Sequence, residues 1–133
     1  DAQGRVSDAG VLWRFKKGLP YVGSPLFYLG RFYLVKDGGL LTCLDPKTGS
    51  PIYQEERLGA LGPYYASLVG AAGRIYATAR RGVVTVIQSG DRPEILARND
   101  LAEMVHATPV PLGDTLFVRT AGHLAAFRES PAR

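Results

Sequence analysis

The chain has 133 residues, 46% of them hydrophobic and 21% charged, with a formal net charge of +4. That is enough for one domain with a sizeable core, too apolar for disorder, and without the run of roughly 18 apolar residues that a membrane span needs. A single cysteine excludes an intrachain disulfide framework and a cysteine-rich metal site, and Lys and Arg are scattered among acids, unlike a nucleic-acid footprint.

Residues 1–10 open Asp1-Ala2-Gln3-Gly4, without an initiator Met or an apolar signal segment, and read as the flexible tail of a mature, trimmed or partial chain. Residues 11–17 begin VLWRF, an orphan strand. Three segments that align on glycines follow: GRFYLVKDGGLLTCLD from Gly30 to Asp45, GRIYATARRGVVTVIQ from Gly73 to Gln88, and GDTLFVRTAGHLAAFR from Gly113 to Arg128. A second glycine lies nine residues after the first in each, at Gly39, Gly82 and Gly122, and the period is 40 to 43 residues.

Each unit reads as strand. FYLV, IYAT and LFV, then LLTCL and VVTVI, are rich in β-branched and aromatic residues, and the second glycine marks a hairpin between them. Short segments upstream (SPLFYLG, SLVGAAG, TPVPLG) supply a first strand, and IYQEERL (52–58) and EILAR (94–98) a fourth. Asp100–Val105 could form one helical turn. The chain is therefore all-β: orphan strand 11–17, blade 24–58, blade 67–98, partial blade 108–128 and a tail at 129–133. A period near 42 with four antiparallel strands matches a propeller blade and not a helical solenoid. The near-continuous apolar runs predict inner strands covered on both faces, and Cys43, aligned with Val86 and Ala126, predicts a buried small residue.

Asp45-Pro46-Lys47-Thr48-Gly49-Ser50-Pro51-Ile52-Tyr53, preceded by GGLLTCL, resembles the pyrroloquinoline-quinone-like (PQQ-like) β-propeller repeat. That repeat runs from a glycine hairpin through a strand ending Ala/Cys-Leu-Asp to x-x-Thr-Gly and an aromatic, usually Trp. Asp45 is placed to accept amide hydrogen bonds in the turn with Thr48, Gly49 permits the reversal, and Tyr53 takes the aromatic place between blades. Trp13 holds the corresponding place in the orphan strand. The second unit has Gln88-Ser89-Gly90-Asp91 instead of that turn. The quinone-dependent enzymes of this architecture use a complete eight-bladed ring, a calcium-type site and a catalytic Asp. Nothing here matches these residue by residue, so no cofactor, metal or catalytic residue is expected. The resemblance points instead to the non-enzymatic branch, outer-membrane assembly lipoproteins included, in which the ring is a platform for a partner, and to a periplasmic or extracellular setting. The competing readings are a fragment of a quinoprotein dehydrogenase whose catalytic blades lie elsewhere, and a purely structural spacer.

The search for chemistry leaves one surface. No nucleophile elbow, phosphate loop or zinc-protease motif is present, and His106 and His123 lack a convincing third metal ligand. Glu55 and Glu56 are adjacent in a strand, so they point to opposite faces and do not converge on one bond. In a propeller, the central hairpins and the blade-to-blade connections share one face. That gathers Lys36, Arg80, Arg81, Arg119 and His123 with Tyr64, Tyr65 and His106, a mixture of cations and aromatics suited to a protein partner. The strand count (one, four, four, three) is half a ring. Two copies closing a six-bladed ring as a homodimer, with VLWRF of one completing the last blade of the other, or further blades of a longer chain, are expected to cover its open ends.

Overall fold

The computed structural model describes residues 4–130. Among the described residues, eleven strands form three antiparallel sheets. The first holds β1 (Leu26–Tyr28), β2 (Arg31–Lys36), β3 (Leu40–Leu44) and β4 (Pro51–Arg57) in sequential order. The second repeats this with β5 (Val69–Ala71), β6 (Arg74–Thr78), β7 (Val83–Gln88) and β8 (Glu94–Asp100). The third has β9 (Val110–Leu112), β10 (Thr115–Arg119) and β11 (Leu124–Arg128), with no fourth strand among the described residues. The architecture is a partial β-propeller of three blades.

The repeat in the sequence is a repeat of turn geometry. Leu29 and Ala72, with φ of 46° and 50°, precede Gly30 and Gly73 at the same place in their blades, between the first and second strands. Two consecutive left-handed residues give the type I′ reversal whose twist suits paired strands. The fourth strands are less regular. Across Thr42 the register of β3 with β4 slips by one residue, so that Gln54 and Glu55 face a single partner. Glu55 there has φ of 51°, and its N–H donates to Thr42 Oγ1 at 3.0 Å. β8 carries a similar bulge at Leu96.

The core lies between the first two blades. Tyr33, Leu41, Cys43 and Tyr53 of the first sheet pack with Ile75, Ala77 and Ile87 of the second and with Leu58, Tyr64 and Leu68 of the connection. Tyr28 adds a close fit at Gly70, where a Cβ would stand 2.5 Å from its ring, and its hydroxyl accepts the Gly73 N–H at 2.8 Å. Cys43 is fully buried, and burial pushes its thiol up to about 11, which keeps it protonated. β3 and β7 are covered on both faces, as their apolar runs require. β11 is not: Leu124 is 73% exposed and Phe127 is also open to solvent.

Three expectations change. VLWRF enters no sheet; Val11, Trp13 and Phe15 are partly buried while Leu12, Arg14 and Lys16 face out, a strand pattern without a ladder. Residues 8–10 of the anticipated tail form a 3-10 turn, while its first three residues, and 131–133 of the C-terminal tail, lie outside the described residues. The helical turn over 100–105 is absent: Asp100 ends β8 and Val105 pairs as an isolated bridge with Thr120.

Candidate interaction face

Backbone hydrogen bonds tie every central hairpin to a connection between blades. Gly38 N–H donates to Gly62 O, Arg80 N–H to Pro63 O, Val105 N–H to Arg80 O and Ala121 N–H to Met104 O, each at 2.8 Å. Asp37 adds a side-chain clamp, accepting the Tyr64 N–H at 2.8 Å. These bonds place hairpins and connections on one side of the array, as propeller geometry demands, and hold the exposed side chains on a rigid frame.

Three of the anticipated residues meet there. The Arg80 guanidinium stands 5.4 Å from the Tyr65 ring centroid, and the Tyr65 and His106 rings lie 5.8 Å apart. Arg80 Nε–H donates to His106 Nε2 at 3.2 Å, so the imidazole accepts at that nitrogen. A guanidinium stacked on the Tyr65 ring and hydrogen-bonded through Nε to His106 is held in place while its terminal nitrogens remain available, which is the geometry for bidentate capture of a carboxylate. Among the described residues no acid forms an ion pair with Arg80, Arg81 or Arg119. Arg81 is exposed on the same hairpin.

The other anticipated residues go elsewhere. Tyr64 is 1% exposed, its hydroxyl donates to Ala60 O at 2.7 Å, and burial pushes its phenol up to about 12. It is a core residue and presents nothing to a partner. Lys36 is exposed but shares the Glu55 carboxylate with Lys17, at 3.5 and 3.6 Å. The guanidinium of Arg119 donates to its neighbour's carbonyl at Thr120. His123 pairs with Glu103 at 2.7 Å. Glu103 also accepts from Thr120 Oγ1 at 2.6 Å and from the Gly122 N–H at 2.9 Å. Those two hydrogen bonds, with the His123 contact, hold its carboxyl below the ordinary carboxylate range. Glu103 escaped the sequence reading because its partners lie 17 to 20 residues away, across a connection that carries no motif.

Asp45 anchors the turn between β3 and β4. Asp45 Oδ1 accepts the N–H groups of Lys47 at 2.7 Å and Thr48 at 3.3 Å, while Gly49 N–H donates to Asp45 O at 2.9 Å. Trp13 docks on it: Nε1–H donates to Pro46 O at 2.9 Å, and the indole meets the Phe32 ring edge-on at 6.2 Å. In the second blade polar groups replace the aromatic. The Tyr33 hydroxyl bonds Ser89 Oγ at 2.9 Å and accepts the Gly90 N–H at 3.1 Å, while Arg31 pairs with Asp91 at 2.6 Å.

No protein-family model and no curated protein matches the sequence. Among solved structures, BamB from Moraxella catarrhalis is similar, with a TM-score of 0.62 at 15% identity over 78% of this chain. The match spans 32% of that protein, about a third of its length, and the likeness shows the β-propeller fold.

Proposed function

We propose that this chain is a non-catalytic β-propeller scaffold of the PQQ-like type, acting in the periplasm or outside the cell. Its hairpin face would bind an acidic segment of a partner protein. The observation that carries this reading is Arg80, stacked by Tyr65, oriented by His106, and without a carboxylate partner among the described residues. Stacked on one aromatic ring and oriented through Nε, such a guanidinium offers its terminal nitrogens to an incoming carboxylate, and Arg81 adds charge that speeds encounter. The resemblance in the Asp45–Tyr53 turn and the likeness to BamB support the platform role by analogy of fold. In this reading the open ends of the three-blade arc are covered by a second copy or by blades of a longer chain.

The test is binding of a fluorescent oligoglutamate peptide, with an oligolysine peptide as control. Selective, salt-sensitive binding that weakens about tenfold or more in an Arg80→Ala, Arg81→Ala double variant supports the reading. Equal affinity of variant and wild type removes it and favours the structural spacer.

A further inference from the structure

The connection from blade 1 to blade 2, residues 58–65, holds an arginine at each end. At Tyr65 it holds Arg80. At the other end Arg98, an exposed residue of β8, reaches back across it: its Nε–H donates to Leu58 O at 2.6 Å, and a Cβ on Gly59 would stand 2.8 Å from its Nη2. Gly59 has φ of 79°, so one residue supplies both the turn and the room for the guanidinium. The two arginines are thus held in the same manner. Each is tied through Nε, to His106 or to the Leu58 carbonyl, and each keeps Nη1 and Nη2 for an end-on fork around a carboxylate. Among the described residues neither forms an ion pair with an acid.

Two acids of this region are turned to the backbone: Asp37 accepts the Tyr64 N–H and Asp100 the Ala102 N–H, at 2.8 and 2.9 Å. Burial raises the Tyr64 phenol, and the charges of Arg81 and Arg98 both act against that rise. One residue of the connection therefore lies within range of cations from the β6–β7 hairpin and from β8. Between the two ends the chain presents Leu61, 60% exposed. Leu61 is held there, because Leu58 N–H donates to Gly39 O and Gly38 N–H to Gly62 O, both at 2.8 Å. A lone exposed leucine is ordinary. This one is pinned on a rigid loop between two unopposed guanidiniums.

We infer that residues 58–65 form a recognition strip for a partner-protein segment in which acidic residues flank an apolar one. The apolar side chain rests on Leu61, Arg98 takes one carboxylate and Arg80 another, and Arg81 strengthens the local field. This rests on the reading of the hairpin face as an interaction surface, and adds to it a second anchoring arginine and an apolar requirement. Two forks fixed at separate places on one loop select for arrangement as well as for charge, which a uniform basic patch does not. The phosphates of a polynucleotide recur at every unit, whereas here the cations are interrupted by a leucine, so an acidic protein segment is the better match.

The test compares two fluorescent peptides, one with three glutamates on each side of a leucine and one with serine in place of that leucine. The wild-type chain is expected to bind the leucine peptide about fivefold tighter than the serine peptide. Leu61→Ser is expected to erase that preference and keep the charge-driven binding. Arg98→Gln, whose amide can still donate to Leu58 O, is expected to weaken both peptides about fivefold or more, and Arg98→Lys, which keeps the charge without the fork, to recover only part of that loss. Without any variant, the arginine Nε–H resonances of both Arg80 and Arg98 are expected to shift as the leucine peptide saturates the wild type. Binding that needs Arg80 and Arg81 but ignores Arg98→Gln, shows no leucine preference, or moves the Arg80 resonance alone overturns this inference and leaves the hairpin-face reading standing. A wild type that binds neither peptide removes both. Oligodeoxythymidylate bound as tightly as the leucine peptide overturns it in favour of a general polyanion surface.

Discussion

Trp13 lies against Gly49 so closely that a Cβ at position 49 would stand 2.5 Å from the indole, although 36 residues separate them. Gly49 has φ of 69°, a conformation that side-chain-bearing residues adopt only at a cost. Two independent demands, backbone hand and surface access, thus fall on one residue. They explain why a turn needing Asp45 for its amides also needs glycine at its end.

Gly49→Ala is expected to cost about 1–3 kcal/mol, from left-handed strain together with the displaced indole. Trp13 is the sole tryptophan, so its emission reports the site directly. A red shift alongside a lowered urea midpoint is the expected outcome. An unchanged emission maximum would place the indole away from the turn.

Tyr53 is buried, and its hydroxyl has no hydrogen-bond partner among the described residues. Burial raises its phenol pKa, so the group is neutral and carries only a desolvation cost. Tyr53→Phe is therefore expected to leave stability unchanged or raise it by up to about 1 kcal/mol. Chemical denaturation of both proteins decides it, and a loss of more than about 1 kcal/mol would show that the hydroxyl is bonded.

Glu103 braces the last hairpin through Thr120, Gly122 and His123, and its carboxyl is held below the ordinary range in the folded chain. A lowered folded pKa contributes stability that is fully present above the unfolded value and is lost as pH falls through the folded one. Glu103→Gln is thus expected to be less stable than wild type near neutrality, with the gap narrowing as pH falls from about 6 to 3. Thermal melts across that interval measure it; a gap constant down to the lowest pH contradicts the assignment.

The blades were legible because their signals are local. Glycines nine residues apart, β-branched runs and the Asp45–Gly49 turn act within a few residues, so the sequence carries them without reference to neighbours. The meeting of Tyr65, Arg80 and His106 was legible in part, since propeller topology alone brings hairpins and connections to one face. Which of the adjacent tyrosines would face out was not. Tyr64 enters the core because Gly39 leaves room for its hydroxyl beside Ala60, a fit between segments more than 20 residues apart.

From its sequence alone, this chain is an all-β array of three propeller blades, because strand period and turn chemistry are short-range properties. The tertiary structure decided which strands find partners. Val11–Lys16 and Leu124–Arg128 have the alternating or apolar patterns of paired strands, yet among the described residues each keeps an unpaired edge. Pairing needs a second edge within hydrogen-bonding reach, and blade 2 holds these two apart.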